Sequence, residues 1–210
     1  MPVHPYAERI RQSYDRLAEH WAGEHGPHVD NGIAAHRRAM QFLANRGRAL
    51  DVGCGSSGRL MELLIAEGFT AEGLDISSEM IRLAKVKNPE VQFHQADIRT
   101  WDPDRQYDLI SAWDSIWHVP LNDQPAVLAR LCGWLMPRGV LIFTTGGTDH
   151  PGEVSNPVQN QPLYHATLGL NPTLQVLAEA GCACRHLEYD QGVDAGHVYV
   201  IAQRIDEVPT

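Results

Sequence analysis

One segment limits what this chain can fold into more than any other: Ala49-Leu-Asp-Val-Gly-Cys-Gly-Ser-Ser-Gly58. An apolar run of strand length, Arg48–Val52, leads into glycines at positions 53, 55 and 58. Leu60, Leu63 and Leu64 then share one face of a helix that Gly68 ends and Ser57 is placed to cap. Strand, glycine turn and helix open a βαβ unit, and such units build parallel sheets. Glycine lets the backbone turn sharply and lets a ligand approach without meeting a Cβ.

The alternation recurs downstream, with strands expected at Thr70–Leu74, Val91–His94, Tyr107–Ala112 and Gly139–Thr144. A helix is expected over Asn122–Met136, where Val127, Leu128, Leu131 and Leu135 form one stripe, Pro125 sits in the first turn, and Pro137 and Gly139 stop it. Two helices precede the sheet, roughly Pro5–Trp21 and Asn31–Arg46, and a helix at Pro172–Ala180 follows it. Strands near Ala183–Tyr189 and at His197–Gln203, joined by the turn-like Gly192–Gly196, are placed to pair as an antiparallel hairpin. Residues 146–169 are rich in Gly, Pro, Asn and Gln without a clear period, which reads as a structureless lid or substrate loop. The expected architecture is one α/β domain over residues 1–210 with an open, doubly wound sheet.

Lys and Arg total 17 against 26 Asp and Glu, a net charge of −9 that repels phosphate backbones and anionic membranes. A small metabolite is the expected partner, with no nucleic acid and no membrane, for a monomer or homodimer. The longest apolar runs, such as Val140–Phe143, are too short to span a bilayer, and residues 1–6 show no export signal. Cys54, Cys132, Cys182 and Cys184 have no metal-ligand spacing, so no metal is expected and the thiols read as reduced in a cytoplasmic protein.

Gly53, Gly55 and Gly58 also satisfy a dinucleotide fingerprint, so the glycines alone do not choose a ligand. Asp51, two residues before the first glycine, would oppose a pyrophosphate there and favour a ligand with positive charge. Asp75, about twenty residues beyond the turn, is placed to accept from ribose hydroxyls, and Asp97, after the third strand, from an adenine amine. A nucleotide-dependent oxidoreductase remains the competing enzyme reading.

Asp51-Val-Gly-Cys-Gly-Ser-Ser-Gly58, Gly73-Leu-Asp-Ile-Ser-Ser-Glu-Met80, Ala96-Asp-Ile98, Tyr107-Asp-Leu-Ile-Ser-Ala-Trp-Asp114 and Leu135-Met-Pro-Arg-Gly-Val-Leu141 resemble, in order and spacing, the successive motifs of class I S-adenosylmethionine-dependent methyltransferases of the small-molecule type. The resemblance covers roughly residues 40–145. It implies a Rossmann-like, seven-stranded, mostly parallel sheet whose last strand inserts antiparallel, and S-adenosyl-L-methionine as cofactor. By carry-over, Gly53 and Gly55 line the methionine part, Asp75 holds the ribose, and Ile76, Asp97 and Ile98 meet the adenine. Asp51, Cys54, Met80, Ala96 and Trp113 complete the expected cofactor set. The chain departs from the family at Ser57, where glycine is common. Ser13-Tyr-Asp-Arg-Leu-Ala-Glu-His-Trp21 resembles an N-terminal helix folded over the cofactor, with residues 1–46 as the cover and Tyr14 touching the methionine end. Tyr14, Leu17 and Trp21 equally have the spacing of a helix core face.

Methyl transfer from a sulfonium needs the acceptor oriented, and a base only where the acceptor must lose a proton. His118, just after the fourth strand, is a candidate base or orienting donor titrating near neutrality, or else a residue that closes the pocket. Tyr164 and His165 are the candidates on the acceptor side, and Trp113 and Trp117 read either as pocket walls or as core. Asp190, Asp194 and His197 flank the terminal turn, within reach of a substrate mouth. A non-catalytic S-adenosylmethionine-binding protein would show the same glycine turn.

Overall fold

The computed structural model describes residues 5–22, 31–56 and 58–205. Two helices come first, α1 (Pro5–Ala22) and α2 (Ile33–Met40). Then β1 (Arg48–Val52), α3 (Arg59–Ala66), β2 (Thr70–Asp75), α4 (Ser78–Lys87), β3 (Gln92–Gln95), β4 (Tyr107–Ala112), α5 (Gln124–Gly133) and β5 (Leu135–Gly146) follow in alternation. A hairpin of β6 (Gly152–Val158) and β7 (Gln161–Thr167) precedes α6 (Leu170–Glu179), β8 (Cys182–Glu188) and β9 (His197–Arg204). The main sheet has the order β3-β2-β1-β4-β5-β9-β8. Its first five strands pair in parallel, and β9 runs antiparallel between β5 and β8, as the terminal hairpin implied. The strand order reverses between β1 and β4, and ligands of open α/β sheets bind at the carboxyl ends of the strands at such a switch point.

Period-two alternation divides the core between the two faces of the sheet. Leu50, Val52, Ile110, Ala112, Leu141, Phe143, Val198 and Val200 pack with Val127, Leu128 and Leu131 of α5 and Leu177 of α6. Their neighbours Ala49, Leu109, Val140, Ile142, Tyr199 and Ile201 pack with Ala35, Ala39 and Met40 of α2 and Leu60, Met61 and Leu64 of α3. These inner strands are covered on both sides, which is why their runs are mostly apolar. Of the N-terminal cover expected over residues 1–46, α2 belongs to the second of these faces, whereas α1 packs Ile10 and Leu17 on Leu163 of β7.

Three expectations need correcting. Residues 146–169 are not structureless, because β6 and β7 pair from Gly152↔Thr167 to Val158↔Gln161. Gln159 and Asn160 close this hairpin with both φ values positive, 49° and 59°, as a two-residue turn matching strand twist requires. Pro157 faces Pro162 one pair inward, at a non-hydrogen-bonded position where neither ring costs the ladder a donor. The helix expected to Met136 ends at Gly133, and Leu135 already pairs with Tyr107. Pro137 and Gly139 therefore lie in a bulge of β5 with Arg138 at φ 62°, where a Cβ on Gly139 would stand 2.9 Å from two carbonyl oxygens. The second helix is shorter than Asn31–Arg46, ending at Met40. Ser57, the expected cap of α3, lies outside the described residues, and Gly58 at φ 77° flanks that helix. Among the described residues, no helix is long and apolar enough to cross a membrane.

Candidate active site

β1 delivers the chain to Gly53 (φ 70°) and Gly55 (φ 57°). A Cβ on Gly53 would stand 2.3 Å from Ser115 Cβ, whereas one on Gly55 would meet nothing within 4 Å. The first glycine is thus demanded by packing, and the second faces open space. Three amides of the turn, those of Gly53, Cys54 and Gly55, point into the protein. Gly53 and Cys54 N–H donate to Leu74 O at 2.7 and 3.1 Å, and Gly55 N–H donates to Asp75 Oδ2 at 3.0 Å. A pyrophosphate at this turn would need such donors aimed at the ligand. Ser77 N–H donates to Asp75 Oδ1 at 2.9 Å, so two main-chain bonds hold the carboxylate in place. Burial pushes the Asp75 pKa up to about 6, against the lowering effect of those bonds.

A cleft partly open to solvent lies over this turn. Its walls bring together Tyr14, Gly53, Gly55, Asp75, Ile76, Met80, Ala96, Asp97, Ile98 and His118, all named from the sequence. Ala7, Ile10, Arg99, Asp114 and Ser115 also line it and were missed. Asp97 is already paired: Arg99 Nη2 donates to it at 2.6 Å, and Arg99 Nη1 donates to Asp123 at 3.0 Å.

Five expected site residues lie outside the lining. Asp51 is only 3% exposed within β1, where burial raises its pKa to about 6 with Ser111 as its hydrogen-bond partner. The Cys54 thiol sits under Gly73, so this residue serves the turn through its main chain. Trp113 follows Ala112 in the strand alternation and therefore lands on the opposite face, packed against His36, His197 and Tyr199. Tyr164 and His165, on β7, stand behind His118 rather than in the cleft. The Tyr164 hydroxyl accepts from Leu121 N–H at 3.0 Å, and the His165 ring lies 4.6 Å from that of His118.

His118 has both ring nitrogens engaged. Nδ1–H donates to Tyr164 O at 2.6 Å, while Nε2 accepts from the Tyr14 hydroxyl at 2.6 Å and from the Trp117 indole N–H at 3.1 Å. That set requires a neutral imidazole, and burial pushes its pKa down to about 3. Held in this way the ring is neutral and does not titrate near neutrality, unlike the expected base. His118→Gln should leave the shape of any pH–rate profile above about pH 5 unchanged. A limb near 6.5 that disappears in this variant would restore the general-base reading.

Three consecutive residues of α1 tie it across the cleft. The Ser13 hydroxyl donates to Pro162 O at 2.8 Å on β7, Tyr14 reaches His118, and Asp15 Oδ1 accepts from the Ser77 hydroxyl at 2.7 Å at the start of α4. Ser77 is the residue whose amide holds Asp75, so the cover is fastened beside the half-buried carboxylate.

Residues 11–191 match the family model described as a methyltransferase domain, and the chain belongs to that family. Its members take their methyl group from S-adenosylmethionine. The chain is similar to trans-aconitate 2-methyltransferase of Enterobacter sp. (strain 638), at 32% identity over 71% of this chain and 62% of that protein. It is also similar to the dTDP-3-amino-3,6-dideoxy-alpha-D-glucopyranose N,N-dimethyltransferase of Streptomyces fradiae, at 27% identity over 67% of this chain and 54% of the relative. The chain thus spans less than two thirds of either relative. In fold it resembles DhpI in its complex with SAH, with a TM-score of 0.71 and 24% identity over 97% of this chain and 99% of that one. The residues present fit the cofactor: open space over Gly55, a fixed carboxylate for a diol, and the apolar Ile76, Met80 and Ile98 for a planar base.

Proposed function

We propose that this protein transfers a methyl group from S-adenosylmethionine to a small-molecule acceptor in the cleft over Gly55 and Asp75. The observation that carries this reading is a half-buried, twice-anchored Asp75 beside a glycine turn whose Gly53, Cys54 and Gly55 amides point inward, which suits a phosphate-free nucleoside. In this reading Asp75 accepts from the ribose hydroxyls, Ile76, Asp97 and Ile98 flank the adenine, and the main chain of Gly53 and the open space over Gly55 line the methionine part. Bound S-adenosylmethionine supplies a methyl carbon on a good leaving group, so the protein has chiefly to orient the acceptor and exclude water. Tyr14 and His118, bonded to each other, close the cleft, and the β6–β7 hairpin backs them on the acceptor side. The negative surface supports a metabolite over nucleic acid as acceptor.

The test is incubation with methyl-labelled S-adenosylmethionine and a broad panel of metabolites, following label and S-adenosylhomocysteine together. Stoichiometric release with a small molecule is the expected result. Cofactor binding without transfer to any of them would indicate a non-catalytic binding protein. The α1 fastening gives a second expectation. Asp15→Ala should speed cofactor release about 3- to 10-fold with little change in the cofactor-free melting temperature, since one hydrogen-bonding anchor is worth about 0.5–1.5 kcal/mol. An unchanged release rate, read by stopped-flow fluorescence, would show that α1 does not gate the cleft.

A further inference from the structure

Asp114 follows Trp113 at the end of β4 and lines the same cleft. Its main chain is in the left-handed region at φ 51°, and its amide donates to Thr144 Oγ1 at 2.8 Å. One carboxylate oxygen accepts from His197 Nε2 at 2.9 Å and the other from Asn31 Nδ2 at 3.3 Å. The second nitrogen of His197, Nδ1, lies 2.5 Å from Asp190 Oδ1. A neutral imidazole has a single N–H, whereas two carboxylate partners take a donor each, so His197 is an imidazolium between two anions. Burial alone would lower its pKa, but the bonds to Asp114 and Asp190 raise it. The side chain of His197 is only 9% exposed and that of Asp114 32%, so the carboxylate, not the imidazolium, is what the cleft meets. The unit carries one net negative charge.

The other charges around the cleft do not offset it. Among the described residues lining the cleft, Arg99 is the only arginine or lysine, and Asp97 and Asp123 both hold it. Arg59, whose Nε donates to Asn31 O, stands in the field of Asp51 as well as Asp114. A polycarboxylate or phosphate acceptor would enter against this field, and an ammonium would enter with it.

We propose that the acceptor is an amine, and that the Asp114–His197–Asp190 unit is what selects it by receiving the acceptor's ammonium on Asp114. This rests on the methyltransfer reading above. The bound ammonium releases one proton to water. The free amine's lone pair then forms the new N–C bond to the methyl group as the C–S bond breaks, its electron pair staying on sulfur. The positive charge passes from sulfur to the methylated nitrogen, and no oxidant or further reactant is needed. Asp114 binds the acceptor in this scheme, while His197 and Asp190 are positioning residues.

The test compares small primary and secondary amines with hydroxyl, carboxylate and phosphate-ester analogues on the same carbon skeletons, trans-aconitate among the carboxylates. Each is offered to the wild-type protein with S-adenosylmethionine. Turnover should be confined to amines. For the best amine, calorimetry in the presence of S-adenosylhomocysteine should show binding weakened at least tenfold by Asp114→Asn. The same variant should bind S-adenosylhomocysteine within twofold of wild type. Turnover of a carboxylate or phosphate ester, or of no amine while S-adenosylhomocysteine binds, would overturn the proposal without any variant. A loss of S-adenosylhomocysteine affinity as large as the loss of amine affinity would also overturn it, because Asp114 would then serve the cofactor's own ammonium. Failure of S-adenosylhomocysteine to bind the wild-type protein would instead overturn the methyltransfer reading on which the proposal rests.

Discussion

Gly53→Val should abolish measurable binding of S-adenosylmethionine. The added Cβ would stand 2.3 Å from Ser115 Cβ, far inside contact distance, and the new side chain would be β-branched at φ 70°. Backbone strain of about 1–3 kcal/mol adds to overpacking of about 1–3 kcal/mol, enough to displace the turn or loosen the domain. A thermal melt separates the two outcomes, and Gly55→Ala is the companion that keeps the protein's own packing. At Gly55 a Cβ meets no protein atom within 4 Å, so beyond left-handed strain of about 1–2 kcal/mol the substitution acts on ligand space. Both variants should lose affinity by calorimetry, Gly53→Val through the protein and Gly55→Ala through the ligand. A folded Gly53→Val variant with wild-type affinity would remove the glycine turn from the site.

The second large effect is expected at Asp75. Asp75→Ala removes the acceptor proposed for the ribose diol, and charge-assisted bonds of this kind are worth about 1.5–3 kcal/mol each before water compensates. Affinity for S-adenosylmethionine and S-adenosylhomocysteine should fall at least about tenfold. The amides of Gly55 and Ser77 would also lose their partner, so part of the loss arises from a looser turn. Asp75→Asn retains one acceptor oxygen and should be milder. The sign with pH follows from the pKa of about 6. The carboxylate is the better acceptor, so wild-type affinity should be flat above neutrality and weaken as the pH falls below about 6, when the group takes up a proton. Asp51 titrates in the same range but lies outside the cleft lining, so Asp75→Asn should remove most of that slope. Undiminished affinity in Asp75→Ala would mean that the ribose is held elsewhere.

Much of the architecture was legible because strand alternation and glycine turns are local signals. Arg48–Val52 and Tyr107–Ala112 match their observed strands, and the antiparallel β8–β9 pair followed from the turn at Gly192–Gly196. The β6–β7 hairpin was not legible, because Gln159-Asn160 is an unusual pair for a two-positive-φ turn and prolines face each other one step inward. Acids at strand ends pointed to Asp75 and Asp97, and both line the cleft. The same rule, carried one strand further, marks Asp114, which lines the cleft as well. Of the two readings of Trp113, pocket wall or core, the structure shows core, on the face to which strand alternation after Ala112 sends it. The state of His118 was out of reach, since its partners Tyr14 and Tyr164 lie 104 and 46 residues away in the chain. Its charge depends on burial that only the folded chain creates.

The most direct measurement is calorimetric titration of the wild-type chain with S-adenosylhomocysteine and, in parallel, with NAD. A phosphate-free nucleoside site on an inward-turned glycine loop predicts saturable binding of S-adenosylhomocysteine at one site per chain and no heat with NAD. Saturable binding of NAD with none of S-adenosylhomocysteine would contradict the account at its base.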